Sequence, residues 1–169
     1  MIIWIIGLSG SGKSTLAKEV ISITKDSPKK TVLIDGDEIR KIFGNDLGYS
    51  QKDRLANAKR ISQFGAFLDN QGINVVCAIL SIFPEVRSWN RKNVDGYYEV
   101  FIDAPIEQLV QRDSKGIYGK YNRGEIKEVA GMDIDFPIPK NSDLFISNNK
   151  SKEELLSFAK QIASKLLED

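Results

Sequence analysis

The sequence contains no histidine, and this absence excludes more chemistry than any other feature of its composition. Catalytic triads that depend on histidine, histidine general bases and histidine-ligated metal sites are all ruled out. Cysteine is almost as scarce, because Cys77 is the only one and has no partner for an internal disulfide or a CxxC site. A chain without disulfides is typical of a reducing compartment, which predicts a cytoplasmic protein.

Strong net charge and long apolar runs are also lacking. The 24 basic and 23 acidic residues give a formal net charge of +1, so no broad basic field indicates a nucleic-acid or membrane partner. Residues 1–6 are too few for a signal peptide, and no run reaches the roughly 18 apolar residues of a membrane span. The 169 residues instead predict one enzyme-sized domain over residues 1–169, with a buried core.

Short apolar runs alternate with longer stretches of helical periodicity. Five runs rich in valine, isoleucine and phenylalanine predict buried strands, at residues 2–6, 31–34, 74–80, 97–102 and 144–147. Helices are predicted over residues 13–24, from an N-cap at Ser50 to residues 70–72, and after a capping box that begins at Ser151. This alternation predicts an α/β fold, a three-layer sandwich in which helices cover both faces of a five-stranded parallel sheet.

Residues 114–142 break this rhythm. They contain several glycines and prolines, many charges and no clean period of either kind. A stretch of this length without a packing pattern is typical of a lid or binding loop. We therefore predict a mobile lid, over about residues 114–135, that closes over bound substrates and excludes water.

Residues 7–14 read GLSGSGKS and fit the P-loop pattern GxxxxGK[ST] at every fixed position. The glycines let successive backbone N–H groups turn towards phosphate oxygens, and the helix that follows adds its positive end. Lys13 is expected to reach the β- and γ-phosphates of a nucleotide, and the Ser14 hydroxyl to bind Mg²⁺. The residues predicted to bind ATP are Gly7, Ser9, Gly10, Ser11, Gly12, Lys13, Ser14 and Thr15.

Two classes of P-loop protein compete, switch GTPases and small-molecule kinases. A GTPase should carry an NKxD motif that reads guanine, but residues 149–152 are NKSK and lack the aspartate. A kinase needs a group that takes the proton of an acceptor hydroxyl, and Asp37, which follows the second strand, is the best-placed carboxylate. A structural alternative is that Asp37 caps a short helix at residues 38–43. The sequence leaves open whether Asp35 or Asp103 organises Mg²⁺, and whether the chain binds nucleotide without catalysis.

Several blocks of the chain resemble the adenylylsulphate (APS) kinase family. They are GLSGSGKST, IDGDEIR, LGYS followed by DRLANAKR, VFIDAPIE and RDSKGIYGKYNRGEIK, and they occur in the family order over residues 1–147. The resemblance implies a homodimeric P-loop kinase fold that uses ATP and Mg²⁺. It also implies a small-molecule nucleotide as partner, because the family phosphorylates the ribose 3′-hydroxyl of adenosine 5′-phosphosulfate (APS).

The resemblance assigns roles to individual residues. Asp37 would face the 3′-hydroxyl, and Lys13 and Lys115 would complete the catalytic set. Arg112 and Lys115 would belong to the lid that covers the phosphates of ATP. The residues that would hold the acceptor are Arg40, Arg54 and Asn57 at its 5′ group, Tyr49 against its base, and Ser81. Elementary geometry agrees, because Arg54 and Asn57 lie three apart on one predicted helix and can reach the same anion.

Two departures from the family pattern concern the acceptor. The family usually has Ser-Pro-Tyr-Arg after the third strand, whereas Ile-Phe-Pro follows Ser81, so the arginine is missing or displaced to Arg87 or Arg91. Val129 stands where the family has a phenylalanine that stacks on adenine, a loss of about 1–3 kcal/mol unless another ring replaces it. An alternative acceptor is therefore a non-adenine nucleotide such as cytidine diphosphoramidate, whose kinase is a relative of APS kinases. The rings that could replace the phenylalanine are Phe83, Trp89 and Tyr121.

Overall fold

The computed structural model describes residues 1–167 and contains one sheet of five parallel strands. The strands are β1 (Ile2–Ile6), β2 (Thr31–Asp35), β3 (Asn74–Ile79), β4 (Tyr97–Asp103) and β5 (Leu144–Ser147). Their order is β2-β3-β1-β4-β5, so the first strand of the chain lies at the centre of the sheet. The predicted α/β fold is confirmed, and each predicted strand differs from the observed one by at most one residue at one end.

Helices cover both faces of this sheet. They are α1 (Lys13–Thr24), α2 (Gly36–Ile42), α3 (Gln51–Asn70), α4 (Pro84–Asn93), α5 (Ile106–Arg112), α6 (Ile117–Asn122), α7 (Lys152–Ser157) and α8 (Ala159–Leu167). Side chains of β1 alternate between the faces: Ile3 and Ile5 pack in a cluster with α1 and α8, and Trp4 and Ile6 pack with α3 and α4. This burial on both faces explains why β1 is an unbroken apolar run. No helix within residues 1–167 is long and apolar enough to cross a bilayer.

The carboxyl ends of three adjacent strands lie at the same edge of the sheet. β1 pairs in parallel with β3, which pairs in parallel with β2, so Ile6 lies beside Ile79 and Asp35 lies beside Ala78. The P-loop follows β1, α2 follows β2, and Ser81 follows β3. Ligand sites of parallel α/β sheets form at this edge.

The helices differ from the prediction in two ways. The tail begins at Ser151 as predicted, since the Ser151 hydroxyl accepts a hydrogen bond from the Glu154 N–H at 3.2 Å, but it forms two helices, α7 and α8, that meet at Phe158. The helices α4, α5 and α6 were not predicted. α5 and α6 have only seven and six residues, too few to show a period, and only Val86 among the residues of α4 is an aliphatic side chain.

The predicted lid contains more packed structure than its sequence pattern indicates. Helix α6 lies within it, and Tyr118 and Val129 are buried in a small apolar cluster with Leu109 of α5. Ala130 and Ile134 form a second cluster with Ile82. The expectation of a loop without packed residues is therefore wrong for this part of the chain, and the mobility of residues 114–135 stays a prediction.

Candidate active site

A cleft of about 740 Å³ lies at the carboxyl ends of β1, β2 and β3. The P-loop forms one side of it, α2 and the start of α3 form another, and residues of the predicted lid close the third. Of the residues predicted to bind ATP, those that line the cleft are Ser9, Gly10, Gly12, Lys13, Ser14 and Thr15. Gly7 and Ser11 lie behind this lining, and Ser11 is fully buried.

The glycines of the P-loop are required by close approach. Gly7 has a φ of 153°, and a Cβ at this position would lie 2.6 Å from the Ile102 carbonyl oxygen. Gly12 has a φ of 97° and immediately precedes α1, and a Cβ there would collide with the Leu155 side chain. The Asn148 side-chain amide donates a hydrogen bond to the Ser11 carbonyl at 2.9 Å and ties the loop to the end of β5. These contacts hold the loop at the start of α1, where backbone N–H groups can meet an anion.

Lys13 and Ser14 each donate a hydrogen bond to a neighbouring oxygen atom on the floor of the cleft. Lys13 Nζ donates to the Leu8 carbonyl oxygen at 2.7 Å, and Ser14 Oγ donates to Asp35 Oδ2 at 2.7 Å. Burial, reinforced by the charge of Lys115, lowers the pKa of Lys13 to about 8. A nearby phosphate would stabilise the charged form of Lys13, because its negative charge offsets the unfavourable desolvation of the ammonium group.

The two carboxylates that the sequence left open for Mg²⁺ lie in different surroundings. Asp35 is bonded to Ser14, whereas Asp103 lines a separate pocket of about 250 Å³ beside β4. Acidic groups within residues 1–167 do not gather into a cluster that could hold a metal by itself. Ser14 and Asp35 therefore fit an ion whose remaining ligands are water and nucleotide phosphates, which is the usual arrangement for Mg²⁺.

Asp37 faces into the cleft from the first turn of α2. Its Oδ2 lies 2.7 Å from Lys115 Nζ, and its Oδ1 lies 3.8 Å from Arg40 Nη1. Burial raises the pKa of Asp37, but the hydrogen bond and charge of Lys115 outweigh burial, and the net pKa lies below its ordinary value. The structural alternative for Asp37 is wrong, because Asp35 is the N-cap of α2 and accepts from the Asp37 N–H at 2.9 Å.

The far end of the cleft carries two arginines around one aromatic ring. Tyr49 is 57% exposed, and its ring centroid lies 4.8 Å from the Arg40 guanidinium carbon and 5.5 Å from that of Arg54. Arg40 is buried and donates to the Gly48 and Gly36 carbonyl oxygens, at 3.3 and 3.2 Å. Arg54 donates to the Tyr49 carbonyl oxygen at 2.7 Å, so both guanidinium groups are oriented by backbone. Planar guanidinium groups held in this way suit a phosphate or sulfate.

Asn57 adds an acceptor to the same wall. Its Nδ2 donates to the Gly36 carbonyl oxygen at 3.2 Å, and its Oδ1 is buried without a hydrogen-bond partner. A buried acceptor without a partner is uncommon in folded proteins. In a cleft wall, it is a position that a hydroxyl or amino group of a ligand can satisfy.

The structure does not bring every predicted residue into the cleft. Arg112 lies at the end of α5, outside the lining, and donates to Gln108 Oε1 at 3.0 Å. Arg87 donates to the Ser81 carbonyl oxygen, and Arg91 pairs with Asp143, so neither lines the cleft in place of the arginine of the family pattern. The role of Arg112 over the phosphates stays a prediction.

The wall of the cleft that contains Val129 also differs from the family pattern. Val129 lines it, and of the three rings considered as replacements only Phe83 does so among the described residues. Lys120 and Lys127 line the cleft as well, and sequence reasoning missed both. They lie within the block RDSKGIYGKYNRGEIK, so the signal was the lysine content of that block.

Comparisons with known proteins agree with this architecture. The family model for adenylylsulphate kinase matches residues 1–147. Cytidine diphosphoramidate kinase of Campylobacter jejuni is 38% identical over 165 residues, which cover 96% of each chain. Adenylyl-sulfate kinase of Clostridium kluyveri is 34% identical and covers 99% of this chain and 82% of its own. The structure of Mycobacterium tuberculosis APS kinase CysC in complex with AMPPNP and APS superposes with a TM-score of 0.88, at 33% identity over 99% of this chain and 97% of that one.

Proposed function

This chain belongs to the adenylylsulphate kinase family and is a nucleotide kinase, and we propose that it transfers the γ-phosphoryl group of ATP to the ribose 3′-hydroxyl of an acceptor nucleotide. The observation that supports this most is the shared cleft. Lys13 and Ser14 of the P-loop face Asp37 across it, and the Tyr49 ring between two arginines continues it beyond Asp37. The cleft thus offers a triphosphate site and a nucleotide site with a carboxylate between them.

The donor end fits ATP with Mg²⁺. Backbone N–H groups of the P-loop would bind the phosphates, and Ser14 and Asp35 would hold the ion, which would supply positive charge to the phosphate groups. Lys13 and Lys115 add two further positive charges at the same end. Charges held in place before the reaction stabilise the loose transition state of phosphoryl transfer.

Asp37 supplies the group that the attacking hydroxyl needs. Its pKa lies below the ordinary value, so the carboxylate is ionised at neutral pH and can accept a hydrogen bond from the 3′-hydroxyl. Because phosphoryl transfer has a loose transition state, orientation of the hydroxyl matters as much as removal of its proton. Lys115 donates to Asp37 Oδ2 in this structure, so an acceptor hydroxyl would bind the other oxygen or displace the ammonium group.

Two acceptors are consistent with the nucleotide end of the cleft. APS is the acceptor that family membership implies, and Arg40, Arg54 and Tyr49 suit its 5′ anionic group and base. A specific observation favours cytidine diphosphoramidate, because the wall has Val129 and lacks an arginine from the stretch after β3. A cytosine ring presents less area for stacking than adenine and depends less on the missing phenylalanine. We propose the cytidine nucleotide as the better acceptor of the two.

A coupled assay with both acceptors tests the proposal. ADP release is measured with ATP and either APS or cytidine diphosphoramidate at micromolar concentration, and phosphorus NMR identifies the phosphorylated position. We expect acceptor-dependent ADP release, a 3′-phosphorylated product and a higher kcat/KM for the cytidine nucleotide. A higher kcat/KM for APS would reverse the choice of acceptor. The absence of turnover with either acceptor would favour a module that binds nucleotide without catalysis.

We also propose that the protein is a homodimer and that it is located in the cytoplasm. A monomer of this chain has a mass of 18.9 kDa, so light scattering coupled to gel filtration separates it clearly from a dimer. We expect a dimer at micromolar protein concentration, and a single species of monomer mass would contradict this expectation.

A further inference from the structure

Ser81 adopts a backbone conformation that needs external support. It follows β3, lines the cleft, and has a φ of 53°, in the left-handed region that is costly for any residue with a Cβ. Two hydrogen bonds hold it from behind the cleft. Trp4 Nε1 donates to Ser81 Oγ at 3.1 Å, and Arg87 Nη1 donates to the Ser81 carbonyl oxygen at 2.8 Å.

The Arg87 side chain is itself paired with a buried carboxylate. Arg87 Nε lies 3.8 Å from Glu99 Oε2, and Glu99 on β4 is only 3% exposed. The two Glu99 oxygens also accept hydrogen bonds from Tyr97 Oη at 2.7 Å and from Ser142 Oγ at 2.8 Å. The pair therefore connects α4, β4 and Ser142, two residues before β5, to the wall of the cleft.

Stability alone does not account for this pair. Apolar side chains of similar volume are often as stabilising as a buried ion pair, so the pair is weak evidence for a purely structural role. The position of the pair is more informative. Arg87 donates to the carbonyl oxygen of Ser81, and the backbone conformation of Ser81 determines the direction of the chain at Ile82 and Phe83. Both of these residues line the base side of the cleft.

We propose that Arg87 and Glu99 are positioning residues that hold the segment Ser81–Ile82–Phe83, here the acceptor wall, in the shape that binds the acceptor nucleotide. This inference rests on the proposed function and adds to it the residues that determine acceptor affinity from outside the cleft. The arginine that the family pattern puts after the third strand does not line the cleft here, and Arg87 instead acts through the backbone of Ser81.

The variants Arg87→Lys and Arg87→Met test the positioning role. Lysine keeps a positive charge beside Glu99 but cannot reproduce the guanidinium bond to the Ser81 carbonyl, so it separates positioning from folding. We expect the KM for the acceptor to rise roughly 10- to 100-fold in both variants while the KM for ATP changes less than about twofold. Arg91→Met is the matched control, since Arg91 lies on the same helix, pairs with Asp143 and makes no bond to Ser81. It should leave the acceptor KM within about twofold of the wild type.

Glycine at position 81 gives a second, independent test. Glycine adopts a positive φ without cost, so in a Ser81→Gly background the Arg87→Lys change should raise the acceptor KM several-fold less than in the wild type. The proposal would be overturned if Arg87→Lys raised the acceptor KM by the same factor with and without Ser81→Gly. It would also be overturned if Arg87→Lys raised the KM for ATP as much as the KM for the acceptor. Wild-type turnover is measured first: a wild type that is inactive with every acceptor overturns the proposed function, whereas an active wild type with an unaffected Arg87→Lys variant overturns only the positioning role.

Discussion

The chemistry proposed for this kinase depends on single side chains whose charge states are set by their neighbours. Asp37 is the clearest example, because the hydrogen bond and charge of Lys115 outweigh burial and lower the pKa of its carboxyl. Asp37→Asn retains the size of the side chain but cannot take a proton. We expect kcat to fall about 10²- to 10⁴-fold while the Kd of ATP changes little. Steady-state kinetics and calorimetric titration of ATP measure the two quantities separately.

The control for this variant is Asp46→Asn. Asp46 also pairs with an arginine, Arg60, at 2.6 Å, but it lies outside the cleft lining. It should keep wild-type kcat. An Asp37→Asn enzyme with unchanged kcat would remove Asp37 from the reaction.

Lys13 gives ATP binding a dependence on pH. Its pKa in the free protein is about 8, and a bound phosphate raises it, so binding takes up a proton between the two values. Affinity is therefore full below pH 8 and is lost as pH rises through it. We expect the Kd of ATP to rise about tenfold from pH 7 to pH 9. Titration calorimetry in two buffers of different ionisation enthalpy measures both the affinity and the proton uptake.

Lys13→Arg is the matched variant, because arginine stays charged throughout this range. Its ATP affinity, although weaker overall, should be nearly independent of pH between 7 and 9. A flat profile in the wild type, or a sloping one in the variant, would contradict the assignment to Lys13.

Single residues show what the sequence could predict and where it failed. The positions of the P-loop and Asp37 in one cleft were predictable, because each follows the carboxyl end of a predicted strand, and their chemical roles stay predictions. The bond between Ser14 and Asp35 joins residues 21 positions apart, and only parallel pairing of the strands brings them together. Arg87 could not be distinguished from a cleft arginine, because one of its partners is Glu99 on β4, which is distant in the sequence.

At the scale of elements, the segment that contains α6 and Val129 lines the part of the cleft where we propose that the acceptor base binds. Val129 is 4% exposed, and its side chain contributes no ring to stack on a base. Val129→Phe would restore such a ring, and base–aromatic stacking contributes about 1–3 kcal/mol. We expect the ratio of kcat/KM for APS to that for cytidine diphosphoramidate to rise about tenfold or more. Val129→Leu adds volume without a ring and should leave the ratio unchanged. A similar shift with leucine would indicate that repacking, rather than stacking, is responsible.

Some helices could be predicted from the sequence and others could not. α1 and α3, with 12 and 20 residues, show a helical period or a clear N-cap, and their bounds were predicted closely. The helices α4, α5 and α6 are short or polar, and their positions follow from the sheet and from contacts distant in sequence. Tertiary packing therefore decides their structure.

For the whole molecule, the two apolar layers on either side of β1 dominate stability. Ile162 of α8 is fully buried in the layer with α1, whereas Leu167 at the end of the same helix is 47% exposed. We expect Ile162→Ala to lower the free energy of unfolding by about 2–5 kcal/mol. Leu167→Ala should change it by less than about 0.5 kcal/mol. Urea denaturation followed by circular dichroism measures both, and equal losses would show that α8 is not held by its buried face.

The salt bridge between Asp37 and Lys115 affects how fast the enzyme hydrolyses ATP when no acceptor is bound. A carboxylate that can activate a sugar alcohol can also activate water, and a kinase with ATP bound but no acceptor would then hydrolyse its own donor. Here the carboxylate is held by an ammonium group from the other side of the cleft. We therefore expect ATP hydrolysis without an acceptor to be slow, because Lys115 neutralises and partly occupies the carboxylate that would activate water.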